Sequence, residues 1–216
     1  MRSKDKSQSE INKNPPETNK SARAPEQSIQ DVLEKAAGLM NIQELMPMDR
    51  QGFVKAIIET PKNSRNKYKF DQENGIFELS TSLKAGMTFP FDFGFIPATH
   101  AEDGDPLDIL VLMDQPAFPG CLVQTRIIGV LEAEQTENDS TFRNDRLIGV
   151  HVNSANYGSH SNWKELPRTM CEQIEEFFVY YNKCRKRIFK PIAWRGPEHA
   201  LKLLKQSVME NKKKSA

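Results

Sequence analysis

The sequence predicts an α+β fold, in which a barrel-like sheet of short strands is followed by two helices near the carboxyl terminus. Short runs rich in Val, Ile and Phe, separated by Gly- and Pro-containing turns, occupy residues 53–152. Long apolar patterns with helical spacing come after residue 167, apart from one segment near the amino terminus. Many short strands with this punctuation favour a closed or nearly closed barrel, and late helices would flank it.

Composition indicates a folded, soluble protein. The chain has 216 residues, of which 38% are hydrophobic and 27% charged, so it can bury a core. The formal net charge is +1, which provides no basic field for nucleic acid. No apolar stretch approaches a membrane span of about 18 residues, and no apolar leader precedes the domain. We therefore expect a cytoplasmic protein without a membrane or nucleic-acid partner. Its three cysteines, Cys121, Cys171 and Cys184, are expected to be reduced.

The composition divides the chain into three parts. Residues 1–27 are mostly Ser, Lys, Asn, Gln, Glu and Pro, so they bury little apolar surface and are expected to be disordered. Residues 28–46 begin with an amphipathic pattern that predicts a helix. This helix would pack on its own domain, on a sister subunit or on another protein. Residues 50–211 form the predicted globular domain.

The predicted strands follow in order through the domain. They cover residues 53–60, 68–70, 76–79, 91–96, 109–113, 121–131 and 146–152. The second and third form a hairpin, because Asp71, Asn74 and Gly75 supply turn chemistry. Gly129 interrupts the sixth strand, and a polar loop separates it from the last one.

Two helices are predicted after the strands. Thr169 and Glu172 have the spacing of a capping box, just after Pro167. The apolar face of the first helix comprises Met170, Ile174, Phe177, Tyr181 and Cys184. The second helix begins at Pro197, a favourable first-turn residue, and directs Ala200, Leu204 and Val208 inward.

Common catalytic motifs are absent from the sequence. It contains no GxGxxG, GxxxxGK[ST], HExxH or GxSxG, and its four histidines stand apart. Dinucleotide binding, P-loop phosphoryl transfer and zinc proteolysis are therefore disfavoured.

An acidic loop carries the chemical signal. Residues 102–108 read Glu-Asp-Gly-Asp-Pro-Leu-Asp and place four carboxylates between two apolar strands. Carboxylates so close together repel one another unless a cation compensates, and oxygen ligands select Mg²⁺, Ca²⁺ or Mn²⁺. Gly104 allows a sharp turn and Pro106 stiffens it. A solvated acidic turn is the alternative interpretation.

The surrounding motifs resemble those of family I soluble inorganic pyrophosphatases over roughly residues 52–210. The matching segments are Ile58-Glu59-Thr60-Pro61, Asn66-Lys67-Tyr68, Gly94-Phe95-Ile96-Pro97, the acidic loop with Ile109-Leu110-Val111-Leu112, Pro119-Gly120, Gly129-Val130-Leu131, Phe177-Phe178 with Tyr181, and Trp194 before Pro197. The resemblance implies an OB-like five-stranded barrel, Mg²⁺-dependent hydrolysis of pyrophosphate and a homo-oligomer.

The resemblance also implies a role for each matching residue. Asp103, Asp105, Asp108 and Glu59 would be metal ligands, and Asp105 would also orient or deprotonate the attacking water. The residues implied in binding the substrate phosphates are Lys67, Tyr181 and Arg146.

Several positions depart from the family pattern. Lys69 replaces an acidic residue, Thr81 and Asn182 replace cations, and Phe89 and Phe93 replace tyrosines whose rings can still pack. Gln135 and Asn144 stand where two metal-binding aspartates are expected, and Arg146 where a lysine is expected; Glu134, Glu137, Asp139 or Asp145 could compensate. These changes leave the site more positive than the family pattern. The alternative function is therefore a weak or silent relative that binds a phosphate ligand or acts in assembly.

Overall fold

The computed structural model describes Ile42 and residues 45–214. The tail predicted over residues 1–27 lies outside the described residues, as does most of the helix predicted over residues 28–46. Both therefore stay predictions.

The described residues form nine strands, which include every predicted strand. They are β1 Val54–Thr60, β2 Asn66–Asp71, β3 Ile76–Ser82, β4 Asp92–Phe95, β5 Asp108–Leu112, β6 Leu122–Glu137, β7 Ser140–Arg143, β8 Arg146–His151 and β9 Ile188–Arg195. The hairpin of β2 and β3 turns as predicted, since Asp71 Oδ1 accepts hydrogen bonds from the backbone N–H groups of Glu73 and Asn74.

The strands form a mixed sheet and a separate hairpin. Pairing runs in the order β1–β4–β5–β8–β6, and β1 also pairs with β6, so the hydrogen-bonded path returns to its first strand. All of these pairs are antiparallel except β5–β8. Strands β7 and β9 both attach to β6.

The predictions for β6 and for the segments that pair with its second half were wrong. Strand β6 is not broken at Gly129; its register with β8 shifts there, and the strand continues to Glu137. Most of the predicted polar loop is the end of β6 and the short strand β7, which pair as a hairpin. Strand β9, between the two helices, was not predicted.

The two predicted helices are α1, Arg168–Cys184, and α2, Pro197–Lys214. The prediction of a capping box at the start of α1 was wrong, because the N-cap residue is Pro167 and no side chain makes a capping hydrogen bond there. Glu172 instead accepts a 2.7 Å bond from Arg168 Nε. Helix α1 buries Ile174 and Tyr181 as predicted, together with Cys171, Phe178 and Asn182.

The core lies on both faces of the sheet. Strand β5 directs Leu110 and Leu112 into a cluster that includes Ile174 and Phe178 of α1. Its alternate residues, Ile109 and Val111, join a cluster that includes Ala200 and Leu204 of α2. Each face of β5 is therefore covered, which explains why its sequence is a continuous apolar run.

Two further predictions concern the chain as a whole. Cys121, Cys171 and Cys184 are all free thiols. Within the described residues, no helix is both long enough and apolar enough to cross a membrane.

Candidate active site

The acidic loop joins β4 to β5, and Asp108 is the first residue of β5. Ala101 N–H donates to the Asp105 carbonyl at 2.9 Å, and Gly104 N–H donates to the Ala101 carbonyl at 3.1 Å. Gly104 has a φ of +92°, as the predicted sharp turn requires. Asp103 and Asp105, on either side of Gly104, line one cavity together with Asp108 at the start of β5.

Helix α2 anchors the loop from behind. The buried Ser207 hydroxyl accepts a 2.7 Å hydrogen bond from His100 N–H and donates one of 2.7 Å to the His100 carbonyl. At the other end, Leu107 N–H donates to Thr99 Oγ1 at 2.9 Å. The loop therefore holds its carboxylates on a supported backbone.

One cavity of about 490 Å³ collects all of the predicted site residues. They are Glu59, Lys67, Asp103, Asp105, Asp108, Arg146 and Tyr181. They come from β1, β2, the acidic loop, β5, β8 and α1. A shared cavity for residues so far apart in sequence supports a common role.

Two of the aspartates already pair with cations of the chain. Lys69 Nζ lies 3.2 Å from Asp105 Oδ2, and both side chains are about half exposed. Arg146 Nη1 lies 2.6 Å from Asp108 Oδ2, and the Arg146 side chain is only 6% exposed. The first pair is accessible to solvent, whereas the second is largely buried and harder to displace.

Loss of hydration raises the pKa of carboxyl groups in the cavity. For Asp103, which is still an exposed residue, this loss and then repulsion from Asp108 raise the pKa to about 6. Burial raises the pKa of Glu59, and Lys67 partly opposes this. Glu59 also accepts a 2.9 Å hydrogen bond from Phe70 N–H. A cation in the cavity would favour the ionised form of each group.

A neutral amide pair occupies the region where further carboxylates were expected. Asn144 Nδ2 donates to Gln135 Oε1 at 3.0 Å, and both residues are buried. Arg146 Nη1 donates to Asn144 Oδ1. The Arg146 guanidinium also lies 5.1 Å from the centre of the Phe178 ring. These contacts hold Arg146 against Asp108.

The donors match a hard divalent cation in kind but are not gathered around one point. Glu59, Asp103, Asp105 and Asp108 offer carboxylate oxygens, which Mg²⁺ prefers. Among the described residues, however, no group of three or more His, Cys, Asp or Glu side chains is arranged to hold a metal ion. A metal would therefore have to compete with Lys69 and Arg146 for Asp105 and Asp108.

An aromatic row forms another wall of the cavity. Phe89 lies 5.7 Å from Phe93 and 5.9 Å from Tyr181, between ring centres. Lys67 Nζ lies 4.6 Å from the centre of the Phe93 ring. The two phenylalanines thus pack as expected without the hydroxyls of tyrosine.

The remaining departures divide into those inside the cavity and those outside it. Asn182 lines the cavity, but it is only 1% exposed and its side chain donates to the Phe178 carbonyl at 2.9 Å. Thr81 does not line the cavity. Of the four possible compensating carboxylates, Glu137 alone lines it, and it pairs with Arg187 at 2.7 Å.

Two lining cations, Arg185 and Arg187, were not predicted from the sequence. Arg185 follows Tyr181 by four residues, so helical spacing could have indicated it. Arg187 precedes β9, and its position depended on recognising that strand.

Comparison with known proteins identifies the family of this chain. A family model described as inorganic pyrophosphatase matches residues 56–212. The inorganic pyrophosphatase of Geobacillus stearothermophilus is 39% identical over 155 residues, covering 72% of this chain and 92% of that protein. The one from Synechocystis is 34% identical over 173 residues, covering 80% of this chain and all of that protein.

Solved structures show the same fold. The inorganic pyrophosphatase of Thermus thermophilus superposes with a TM-score of 0.73 at 31% identity, covering 80% of this chain and 99% of that one. The one from Neisseria gonorrhoeae has a TM-score of 0.72 at 30% identity, covering 79% of this chain and 98% of that one. This chain belongs to the inorganic pyrophosphatase family.

Proposed function

We propose that this chain hydrolyses inorganic pyrophosphate to two phosphates. The observation that carries the proposal is the convergence of Asp103, Asp105 and Asp108 with Lys67 and the other predicted residues in one cavity. Membership of the family supports the same reaction, because the relatives that match are named inorganic pyrophosphatases.

Mg²⁺ is the proposed cofactor, with Asp103, Asp105, Asp108 and Glu59 as its ligands. When bound, it would supply positive charge and lower the pKa of a coordinated water. Asp105 is the proposed general base, since its half-exposed carboxylate can orient the attacking water and accept its proton. The water oxygen then bonds to phosphorus as the bridging P–O bond breaks.

Lys67, Tyr181 and Arg146 are the proposed phosphate-binding residues. Lys67 and Arg146 present positive charge to the cavity, and Tyr181 offers a hydroxyl group. Charges that are already positioned cost little reorganisation as negative charge develops on the leaving phosphate. These residues would therefore stabilise the transition state as well as bind the substrate.

The barrel, the catalytic domain and the assembly of the chain are also part of the proposal. We infer that the ring of five strand pairings corresponds to the OB-like barrel, and that residues 50–211 form the catalytic domain. A homo-oligomer, as the family resemblance implied, is the proposed form of the protein, and the cytoplasm, as the composition indicated, is its proposed location.

Phosphate release from pyrophosphate, with and without Mg²⁺, tests the reaction. Asp105→Asn keeps the size of the side chain but removes the base, so we expect a loss of about 10²-fold or more. Asp139→Asn is the matched control, because Asp139 is exposed and does not line the cavity. Wild-type release no faster than that of Asp105→Asn would contradict the proposal.

A weak or silent relative remains the second candidate. The observation in its favour is the pairing of Asp105 and Asp108 with Lys69 and Arg146, which neutralises two proposed metal ligands. This candidate predicts binding of a phosphate ligand without turnover, so a binding titration beside the phosphate-release assay separates the two.

A further inference from the structure

Arg185 is one of two cations in the cavity that are not paired with a carboxylate of the described residues. Of the five cations that line it, Lys69, Arg146 and Arg187 each lie within 4 Å of a carboxylate oxygen. Lys67 and Arg185 have no carboxylate partner at that distance within the described part of the chain. Their charges are not already paired, whereas Arg146 would bind a phosphate while it still contacts Asp108.

The two available cations lie on the two ends of the aromatic row. Lys67 contacts Phe93, and Phe93 is linked through Phe89 to Tyr181. The Arg185 guanidinium lies 5.6 Å from the centre of the Tyr181 ring, and its Nη1 donates to Tyr181 Oη at 3.3 Å. Both cations line the same cavity, so a ligand with two linked anionic groups that lies along this row could contact one cation with each group.

The end of α1 determines where Arg185 lies. Arg185 N–H donates to the Asn182 carbonyl at 2.9 Å, and Arg187 N–H donates to the same oxygen at 3.0 Å. Between them, Lys186 adopts a φ of +61°. Arg185 is four residues after Tyr181, so the two side chains share one face of the helix. This placement also puts positive charge at the negative end of the helix dipole.

Neighbouring residues cannot take this role. Asn182 carries no charge, and its amide is committed to the Phe178 carbonyl. Lys183 is exposed and does not line the cavity. We infer that Arg185 binds the second phosphoryl group of a diphosphate ligand, with Lys67 at the first. This inference rests on the proposed function, because it names a further substrate contact for the same site.

Arginine suits this position chemically. Its planar guanidinium can present two parallel N–H groups to two oxygens of one phosphate, a fixed geometry that the ammonium group of lysine lacks. The contact to Tyr181 leaves part of this fork free, since it uses a single Nη atom.

Binding of imidodiphosphate, a diphosphate analogue with a P–N–P bridge, tests the inference separately from turnover. Calorimetric titration in the presence of Mg²⁺ would compare the wild type with Arg185→Gln, Arg185→Lys and Lys183→Gln. We expect Arg185→Gln to weaken binding about tenfold or more, and Arg185→Lys to recover part of the loss. Lys183→Gln removes the same charge two residues earlier in the chain, outside the cavity, and should bind like the wild type.

The result that would overturn the inference is equal weakening in Arg185→Gln and Lys183→Gln, or no weakening in either. A wild type that binds no imidodiphosphate would also overturn it. Thermal melting of each variant identifies any loss of fold, which the exposed Arg185 side chain is not expected to cause.

Steady-state kinetics separates this inference from the proposed hydrolysis. If the wild type releases phosphate, Arg185→Gln should raise the KM for pyrophosphate about tenfold or more. If the wild type binds imidodiphosphate but releases no phosphate, the proposed hydrolysis fails, while the binding comparison still decides the role of Arg185.

Discussion

At the residue scale, Lys69 is the departure with the most direct effect on the proposed metal site. Its ammonium group lies 3.3 Å and 3.2 Å from the two carboxylate oxygens of Asp105. Because both side chains are about half exposed, the pair adds little to stability. Its main effect is to place a positive charge where a divalent cation would approach.

We predict that Lys69→Glu strengthens binding of Mg²⁺ or Mn²⁺ roughly ten- to hundredfold, because it removes a competing cation and adds a carboxylate beside the cavity. Lys69→Gln, which only removes the charge, should have an intermediate affinity. Lys183→Glu makes the same charge change away from the cavity and serves as the control. Calorimetric titration with Mn²⁺ measures all four proteins, and equal affinities would contradict the competition.

Asp92 provides a separate test of pH dependence, outside the proposed site. It is 1% exposed, and its Oδ1 accepts a 2.9 Å hydrogen bond from Ala117 N–H. Its Oδ2 is buried and has no hydrogen-bond partner among the residues that the structure describes. Burial raises the pKa of Asp92 above its usual value of 3.8. The folded protein therefore holds this proton more tightly than the unfolded chain does.

The sign of the effect follows from this difference in proton binding. Between pH 3.8 and the raised folded pKa, the unfolded chain loses its proton first, so the contribution of Asp92 to folding stability falls as pH rises. Asp92→Asn has no such proton. We predict that the free energy of unfolding of Asp92→Asn, minus that of the wild type, increases from about pH 4 to about pH 7.5. Urea unfolding at each pH measures this difference. A difference that is independent of pH would contradict this prediction.

The acidic loop was predictable from the sequence itself, because Asp103, Asp105 and Asp108 lie within six residues. Lys67 and Glu59 were implied only by the resemblance of their motifs to the family, and the proposed roles of all five residues stay predictions. The pairing of Lys69 with Asp105 was not predictable, because 36 residues separate them and their contact depends on how β2 meets the acidic loop.

At the element scale, Gly94 permits the close contact between β1 and β4. It pairs with Ile58 and Ile109 on its two sides. A Cβ atom at Gly94 would overlap the carbonyl oxygen of Ile57, and its next neighbours are also backbone atoms of β1, so only a shift of the strands could relieve the overlap. We predict that Gly94→Ala destabilises the protein by about 3 kcal/mol or more.

Urea unfolding at neutral pH measures this loss. Gly196→Ala is the matched control, since its nearest neighbour would be the Asn162 side-chain amide at 3.6 Å, an ordinary contact. The control should cost no more than about 1 kcal/mol. A Gly94→Ala variant as stable as the control would show that β1 and β4 can separate without cost.

The failure to predict β9 has an identifiable physical cause. Strand β9 contains Pro191, and apolar and polar residues do not alternate regularly along it, so its sequence lacks the pattern of a buried strand. It forms because it lies at an edge, where it pairs with β6 alone, and the register shifts between Glu132 and Ala133, beside Pro191. The interior strands were predictable because burial on both faces requires continuous apolar runs.

At the scale of the whole molecule, the domain includes residues that precede its first strand. Ile42 and Leu45 pack against the cluster formed by Ile57, Phe70 and Phe95. Phe70 N–H in turn donates to the Glu59 carboxylate. The amino-terminal boundary of the folded unit therefore affects the packing behind a proposed metal ligand.

The connection between this boundary and β1 consists of backbone pairing as well as packing. Met48 forms a bridge with Val54, and Lys55 N–H donates to the Pro47 carbonyl at 2.9 Å. The globular domain predicted from the sequence begins at residue 50, after the segment predicted as a helix over residues 28–46. The sequence pattern could not show that the apolar residues just before residue 50 pack on the domain.

Two deletions test this boundary. A chain without residues 1–48 loses the contacts of Ile42, Leu45 and Met48, whereas a chain without residues 1–40 keeps them. At about 1 kcal/mol for each partly buried side chain, the longer deletion should melt about 5–10 °C below the shorter one. It should also bind Mn²⁺ more weakly, because the packing behind Glu59 is reduced. Equal melting temperatures would contradict this prediction and place the boundary of the folded unit after Met48. Phosphate release by the shorter deletion, compared with that of the full-length protein, then shows whether residues 1–40 affect activity.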